Sequence, residues 1–126
     1  MPVQRWDFDH GEQHQPVPNG PVARVVIGAD AGWRVGLVEV TVPPGGQMPE
    51  HDHGASEVTL IAQAGRARLV TTSDGSVTEL DPGMVATIPV GERVRLENPG
   101  DEAARVLVVL TPPDFAATVA AWPAVN

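Results

Sequence analysis

The chain has 126 residues with a formal net charge of −8, and hydrophobic residues make up 42% of it. This length and composition predict one folded domain rather than a disordered chain, and the acidic balance disfavours binding to nucleic acid or anionic membranes. Cysteine is absent and every basic residue is arginine, which excludes disulfides, thiolate ligands, a cysteine nucleophile and a Schiff-base lysine.

The N-terminal segment carries no targeting signal that we recognise. It reads MPVQRWD and lacks an apolar run of signal-peptide length. No stretch of the chain approaches the roughly 18 consecutive apolar residues that a membrane-spanning helix needs. We therefore expect a soluble, cytoplasmic protein.

Residues 1–20 are polar and rich in proline, and they include His10 and His14. We predict an irregular arm here, with a short strand near 3–8 that is available to add to a neighbouring subunit's sheet. After the arm, short runs of β-branched and apolar residues alternate with Gly, Pro and Asp-Gly turn signals, which is typical of strands. The predicted strands cover 22–27, 33–42, 51–53 continuing into 57–62, 66–72, 77–80, 85–88, 94–97 and 104–110.

The C-terminal segment has a helical pattern in place of the strand pattern. Phe115, Val119 and Trp122 recur at helical spacing after two prolines, which predicts a short helix over 112–122 with one face packed on the strands. We therefore predict an all-β fold with one terminal helix, in which the arm of residues 1–20 precedes a single domain of residues 21–126. Strand spacing alone leaves an immunoglobulin-like sandwich, a jelly roll and other barrels open.

A cluster of histidines and acidic residues is the most informative part of the chain. Residues i and i+2 of a strand point to the same face, so His51 and His53 would lie side by side, and Glu57 follows across three small residues. Two imidazoles and one carboxylate on one face form the open metal site of non-haem iron enzymes, and they also suit catalytic zinc. The alternative is a solvated acidic loop without a metal.

This segment resembles the first sequence motif of the cupin superfamily. Gly45, His51, His53 and Glu57 have that motif's spacing, whereas Ala64 stands at the position of its closing glycine and Gly65 follows one residue later. A second stretch resembles the second cupin motif and matches it in spacing through Gly83, the Pro89-Val90-Gly91 turn and Asn98. Val94 takes the place of the histidine that is the family's third imidazole ligand.

The resemblance implies a jelly-roll β-barrel with a divalent metal inside its wider mouth, and often a homodimer. With Val94 in place, three alternatives stay open. His51, His53 and Glu57 still hold iron, manganese, zinc, nickel or copper; His10 or His14 supplies the missing ligand; or the site has been lost and the barrel binds an organic ligand without metal.

Strand alternation extends the predicted site. If Glu57 points inward, Thr59 and Ile61 should also point inward. Val94 and Leu96 would share one face of their strand, and Trp33 is placed to stack on a planar substrate or to pack at the rim. The predicted substrate pocket comprises Gln47, Met48, Thr59, Ile61, Val94, Leu96 and Trp33.

The resulting functional hypothesis is a metal-dependent enzyme acting on a small molecule, with dioxygenase chemistry first and Glu57 as both ligand and catalytic group. Isomerase, cyclase or lyase chemistry is the second form of this hypothesis. The alternative from another class is a binding or sensory module that holds a small molecule without turnover. No phosphate-binding loop or nucleophile-elbow pattern is present in the sequence.

Overall fold

The computed structural model describes residues 3–125, which form two antiparallel β-sheets and one short α-helix, α1 (Phe115–Ala120). This confirms the predicted all-β class with a terminal helix. The strands, in chain order, are β1 (Glu12–His14), β2 (Val22–Ile27), β3 (Gly36–Val42), β4 (Gln47–His51), β5 (Glu57–Ala64), β6 (Ala67–Thr71), β7 (Val77–Leu80), β8 (Val85–Ile88), β9 (Val94–Glu97) and β10 (Ala104–Thr111).

The larger sheet has the order β1-β2-β3-β10-β5-β8, and the smaller sheet has the order β4-β9-β6-β7. From β3 onward the chain passes repeatedly between the sheets through short loops, since β3, β5, β8 and β10 belong to the larger sheet and β4, β6, β7 and β9 to the smaller one. The two sheets therefore form the layers of one barrel-like sandwich around a common core.

The core forms because inward and outward residues alternate along the strands. In β3, Val38, Val40 and Val42 are buried while the residues between them are partly exposed. β10 alternates in the same way through Val106, Val108 and Leu110. Each fully buried side chain of this size contributes about 1.5–3 kcal/mol relative to an exposed one.

The arm differs from its prediction. The expected strand near 3–8 is wrong: those residues are irregular and lead into a 3-10 turn at Phe8–His10. The strand of the arm is β1, and it pairs with β2 of the same chain. The arm thus adds a strand to the larger sheet of its own chain.

Three further predictions differ from the structure in their bounds. The strand expected to begin at His51 is β4, which covers Gln47–His51 and ends at that residue, because the chain turns at Gly54 with a φ of 59°. The strand expected from residue 33 starts at Gly36, because a 3-10 turn at Ala29–Ala31 ends on Gly32 with a φ of 76°. The helix expected over 112–122 covers only Phe115–Ala120, since the two prolines belong to the turn that precedes it. Among the described residues, none of the helices has both the length and the apolar character that crossing a bilayer would require.

Gly65 explains why the closing glycine of the first motif is displaced by one position. A β-bulge inserts one extra residue, Gln63, into β5 where it pairs with β10. Gly65 has a φ of 69°, and a Cβ atom there would lie 2.3 Å from the Ala103 carbonyl oxygen. The turn therefore requires glycine at 65 and not at 64.

Candidate functional site

A small cavity of about 40 Å³ lies between the two sheets, with residues from both sheets and from the α1 segment in its wall. Apart from His51 and His53, its lining is entirely apolar or aromatic. The lining residues are Ala23, Val38, Val40, Met48, His51, His53, Leu60, Leu69, Ile88, Val94, Leu96, Val108, Leu110, Phe115, Val119 and Trp122.

The two histidines reach this cavity from the end of β4. His51 is the last residue of the strand, and His53 lies two residues beyond it, before the turn at Gly54. Their ring centroids are 4.6 Å apart. His51 Nδ1 is 2.7 Å from the Pro49 carbonyl oxygen. Because a carbonyl only accepts, Nδ1 carries the proton, and in the neutral ring Nε2 is free to accept a hydrogen bond or bind a ligand.

His53 is the more buried of the two histidines, with 7% of its surface exposed. Its Nδ1 atom is buried and has no hydrogen-bond partner among the described residues. Burial, together with the nearby His51, lowers the pKa of His53 to about 4, and the partly opposing effect of Asp52 does not reverse this. The cavity thus holds a neutral imidazole with an unsatisfied nitrogen.

Phe115, the first residue of α1, packs against both imidazoles. Its ring is nearly parallel to that of His51, with centroids 6.0 Å apart, and edge-on to that of His53 at 5.0 Å. The rings of Phe115 and Trp122 are also nearly perpendicular, with centroids 6.3 Å apart. These are favourable aromatic geometries, and they make the helix part of the site.

An ion pair on the outer surface holds the histidine segment in place. Arg93 Nε donates to Glu50 Oε1 at 2.7 Å, and its Nη1 donates to Asp52 Oδ2 at 3.4 Å. The hydrogen bond from Arg93 is the main cause that lowers the pKa of Glu50. Because Glu50 and Asp52 face Arg93, the residues between and after them, His51 and His53, turn toward the cavity.

Two buried polar side chains anchor α1 at its ends. Ser56 Oγ donates to the Pro112 carbonyl at 2.6 Å and accepts from the Phe115 amide at 3.3 Å. His14 Nδ1 donates to the Trp122 carbonyl at 2.9 Å. The arm and the loop after β4 therefore both help to hold the helix against the cavity.

Glu57 does not join the histidines. Its side chain is exposed, and it starts a strand in which Val58, Leu60 and Ala62 are the buried residues. The expectation that Glu57 points inward together with Thr59 and Ile61 is therefore wrong for this structure. Thr59 and Ile61 are only partly buried on the outer face, and Leu60 lines the cavity in their place.

The other predicted pocket residues are divided between the cavity and the surface. Met48, Val94 and Leu96 line the cavity. Gln47 is exposed on β4, and Trp33 lies with Trp6 in a separate groove on the outside. His10 is exposed and His14 bonds to Trp122, so neither of them lies in the cavity wall.

The arrangement does not fit a metal centre of two histidines and one glutamate. Within residues 3–125, no three side chains of the metal-binding types come close enough to hold an ion together. The position at which the resemblance predicts a third histidine is occupied by Val94, which is paired directly with His51 across β4 and β9. The cavity wall therefore contains two imidazoles and is otherwise apolar.

Sequence reasoning missed the roles of Phe115, Ser56 and Arg93 at this site. The spacing of Phe115, Val119 and Trp122 predicted a helix packed on the strands but did not show that it would contact the histidines. A signal for the orientation of Glu57 was present. Val58, Leu60 and Ala62 are all apolar, whereas the residues that alternate with them, Glu57, Thr59, Ile61 and Gln63, are polar except for Ile61. This alternation favours an outward glutamate.

Two antiparallel sheets that enclose a cavity, with a His-x-His pair at the end of a strand, define the cupin class of β-barrel. The family model described as the cupin domain matches residues 38–110, more than half of the chain. The chain therefore belongs to the cupin family. No protein of curated function matches it.

Solved structures give the same fold. The polyketide cyclase RemF from Streptomyces resistomycificus is 26% identical with a TM-score of 0.72, over 86% of this chain and 79% of that one. A cupin 2 conserved barrel domain protein from Salinispora arenicola CNS-205 is 26% identical with a TM-score of 0.66, over 95% and 96%. A predicted oxalate decarboxylase from Thermotoga maritima has a TM-score of 0.72 over 86% and 99%, but at 16% identity that likeness shows the fold alone.

Proposed function

We propose that this cupin binds an uncharged small organic molecule in its barrel cavity and acts on it by proton transfer through His51 and His53. The observation that carries the proposal is the cavity wall, which is apolar except for two imidazoles, one of them buried with an unpartnered nitrogen. A neutral imidazole can accept a proton as a general base, and the low pKa of His53 makes it a weak base that returns the proton readily. This corresponds to isomerase, cyclase or lyase chemistry.

The apolar wall also favours an uncharged ligand. A carboxylate inside the cavity would lose its hydration without meeting a cationic partner, and burying an unpaired charge is costly. The likeness to a polyketide cyclase, at 26% identity, supports a reaction of carbonyl compounds.

The test uses chelator-treated protein and a small, uncharged, acyclic ketone such as acetone, which is smaller than a ring. We expect exchange of the ketone's α-protons in D2O, followed by NMR, to be faster with the parent protein than with His53→Leu. His10→Leu is the matched control, since His10 is exposed. Exchange that appears only after a divalent metal is restored, or that persists in His53→Leu, would contradict the proposal.

A second candidate is the metal-dependent enzyme of the dioxygenase type. It is favoured by the two adjacent imidazoles, of which His51 keeps Nε2 free and His53 has an unpartnered Nδ1. Iron, manganese, zinc, nickel or copper would suit such ligands. This candidate requires Glu57 to turn from the surface toward the histidines.

Elemental analysis distinguishes the two candidates. Near-stoichiometric metal in the purified parent, none in the His51→Ala/His53→Ala double variant and a reduced content in Glu57→Gln would support the metal enzyme. Metal in none of the three proteins, even after incubation with these ions, would leave only the metal-free function.

Three other predictions stand beside these candidates. The chain could bind its ligand without turnover, and we also predict a homodimeric assembly and a cytoplasmic location.

A further inference from the structure

The ring of Phe115 already occupies the place next to both imidazoles. It lies 6.0 Å from His51 with the planes inclined by only 12°, and 5.0 Å from His53 at 67°. These separations lie within the range of favourable aromatic pairs, roughly 4.5–7 Å between centroids. The chain therefore places one of its own planar, apolar rings against the two polar groups of the cavity.

The space that remains beside Phe115 is too small for a second ring. The cavity measures about 40 Å³, whereas a dry apolar cavity that accepts benzene measures on the order of 150 Å³. A ring-sized ligand can enter only if the Phe115 side chain leaves. Removing that phenyl group would free space directly against His51 and His53.

The helix that carries Phe115 depends for its stability on contacts with the rest of the chain. α1 has six residues, and its N-cap residue, Asp114, forms no capping hydrogen bond with its side chain. Isolated helices shorter than about 12–15 residues are marginal in water. Its apolar side buries Ala116 and Val119, and Ser56 and His14 bond to its two ends. Its displacement therefore breaks a small set of contacts and leaves both sheets intact.

Resting on the proposed function, we infer that the ligand is an uncharged planar ring bearing a hydroxyl or carbonyl group, and that it takes the place of the Phe115 side chain. Its ring contacts the imidazoles as the phenyl ring does now. Its polar group forms a hydrogen bond with His53 Nδ1, which has no partner within residues 3–125. Phe115 is then the residue that determines which ligands the cavity accepts.

The experiment compares three probes: phenol, cyclohexanol and benzoate. Phenol and cyclohexanol share a hydroxyl group and differ in planarity, while benzoate keeps the ring and adds a charge. Dissociation constants are measured by calorimetry or ligand-observed NMR on the parent, Phe115→Ala and Phe115→Leu. Phe8→Ala is the matched control, because Phe8 is the other phenylalanine and lies exposed on the arm. Phe115→Leu retains an apolar side chain and keeps the test available if Phe115→Ala does not fold.

We expect Phe115→Ala to bind phenol at least tenfold more tightly than the parent and Phe8→Ala, with Phe115→Leu between them. Adding His53→Leu to Phe115→Ala should remove most of that gain. Equal phenol binding by the parent and both Phe115 variants would overturn the inference. Cyclohexanol binding as strong as phenol, and dependent on His53, would overturn the planar-ring class while leaving the proposed function standing. Preferential binding of benzoate would overturn both.

Discussion

The resemblance to the second cupin motif predicts a third imidazole at position 94, where the chain has Val94, and the structure shows the surroundings of this valine. Val94 is 3% exposed, lines the cavity and is paired with His51 across β4 and β9. A histidine at this position would stand beside His51 on the same inner surface. The valine instead closes that part of the wall with an apolar side chain.

Restoring the histidine should therefore create metal affinity. We expect Val94→His to bind nickel or zinc at least about tenfold more tightly than the parent, since even changes to the partners of metal ligands alter affinity by that factor. Isothermal titration calorimetry measures the difference. Val94→Leu keeps the wall apolar and should behave like the parent, and an equal affinity in Val94→His would show that position 94 does not face the two histidines.

A second prediction at the residue scale concerns the effect of His53 on how stability depends on pH. Its pKa is lowered to about 4 in the folded chain, mainly by burial, while an unfolded histidine has a pKa of about 6.5. Between these values the unfolded chain binds more protons than the folded one, so stability falls as the pH drops from about 6.5 to about 4. The full loss amounts to about 3 kcal/mol.

Urea unfolding of the parent and of His53→Leu at about pH 7.5, 6 and 5 measures this contribution. The leucine variant changes the absolute stability through packing, so the comparison concerns the slope with pH. We expect the slope between about pH 6.5 and 5 to be shallower in the variant. Parallel curves for the two proteins would show that His53 is not the group responsible.

At this scale the sequence predicted some site residues well and others poorly. The pairing of His51 with His53 followed from their spacing, although His53 lies just beyond the strand rather than on it. Glu57 fits the spacing of the motif, but the burial of Val58, Leu60 and Ala62 on the inner face of β5 places it on the outer face. The contact of Phe115 with the imidazoles depends on residues far apart in the chain, which no local pattern reveals.

At the scale of elements, the helix α1 depends on a single buried serine at its start. Ser56 is fully buried and satisfies both the Pro112 carbonyl and the Phe115 amide. Replacing it by alanine leaves both backbone groups without this partner. We expect Ser56→Ala to lower the free energy of unfolding by about 1–3 kcal/mol, measured by urea denaturation.

The matched control for this variant is Ser73→Ala. Ser73 donates a hydrogen bond to Glu92 at 3.1 Å on the exposed surface, and surface substitutions of this kind change stability by less than about 0.5 kcal/mol. If the two variants lost the same stability, the bonds of Ser56 would have no special part in holding the helix.

Most strands could be predicted because their residues show both β-branched composition and clear turn signals. Val22–Ile27, Val77–Leu80, Val85–Ile88 and Val94–Glu97 have the predicted bounds. The arm strand could not be predicted, because Glu12–His14 has no strand-forming composition and exists through its pairing with β2. The helix was predicted too long, because the spacing of Phe115, Val119 and Trp122 does not distinguish the helix itself from the turns that flank it.

At the scale of the whole molecule, the arm connects the two ends of the chain. His14 pairs with Ala124 as an isolated β-bridge, and it also donates to the Trp122 carbonyl behind α1. The Val125 amide donates to the Gln13 carbonyl at 3.0 Å. The arm thus holds the segment that carries the helix over the cavity.

Removing the His14 bond should loosen α1 without unfolding the barrel. We expect amide hydrogen exchange in residues 115–122 to be about two- to tenfold faster in His14→Leu, since one hydrogen bond contributes about 0.5–1.5 kcal/mol. His10→Leu serves as the comparison because His10 is exposed on the same arm. Unchanged exchange in His14→Leu would mean that the arm does not hold the helix.

The fold as a whole was predictable because local patterns and the two cupin motifs agree. Asn98 illustrates how a motif residue supports the architecture. It is buried, its amide donates to the Val42 and Glu102 carbonyls, and its carbonyl oxygen accepts from the Gly100 amide. The order of strands within each sheet, in contrast, depends on long-range pairing and was not predicted.

The unequal edges of the larger sheet have a consequence for solubility. At one edge, the C-terminal segment lies against β1 and covers part of it. At the other, β8 has no further strand beside it among the described residues, and Met84 and Val85 are 48% and 58% exposed there. Such an edge invites edge-to-edge aggregation in concentrated solution. The short length of β8, the proline that follows it and the mutual repulsion of molecules with a net charge of −8 counteract this tendency, so high salt should promote precipitation.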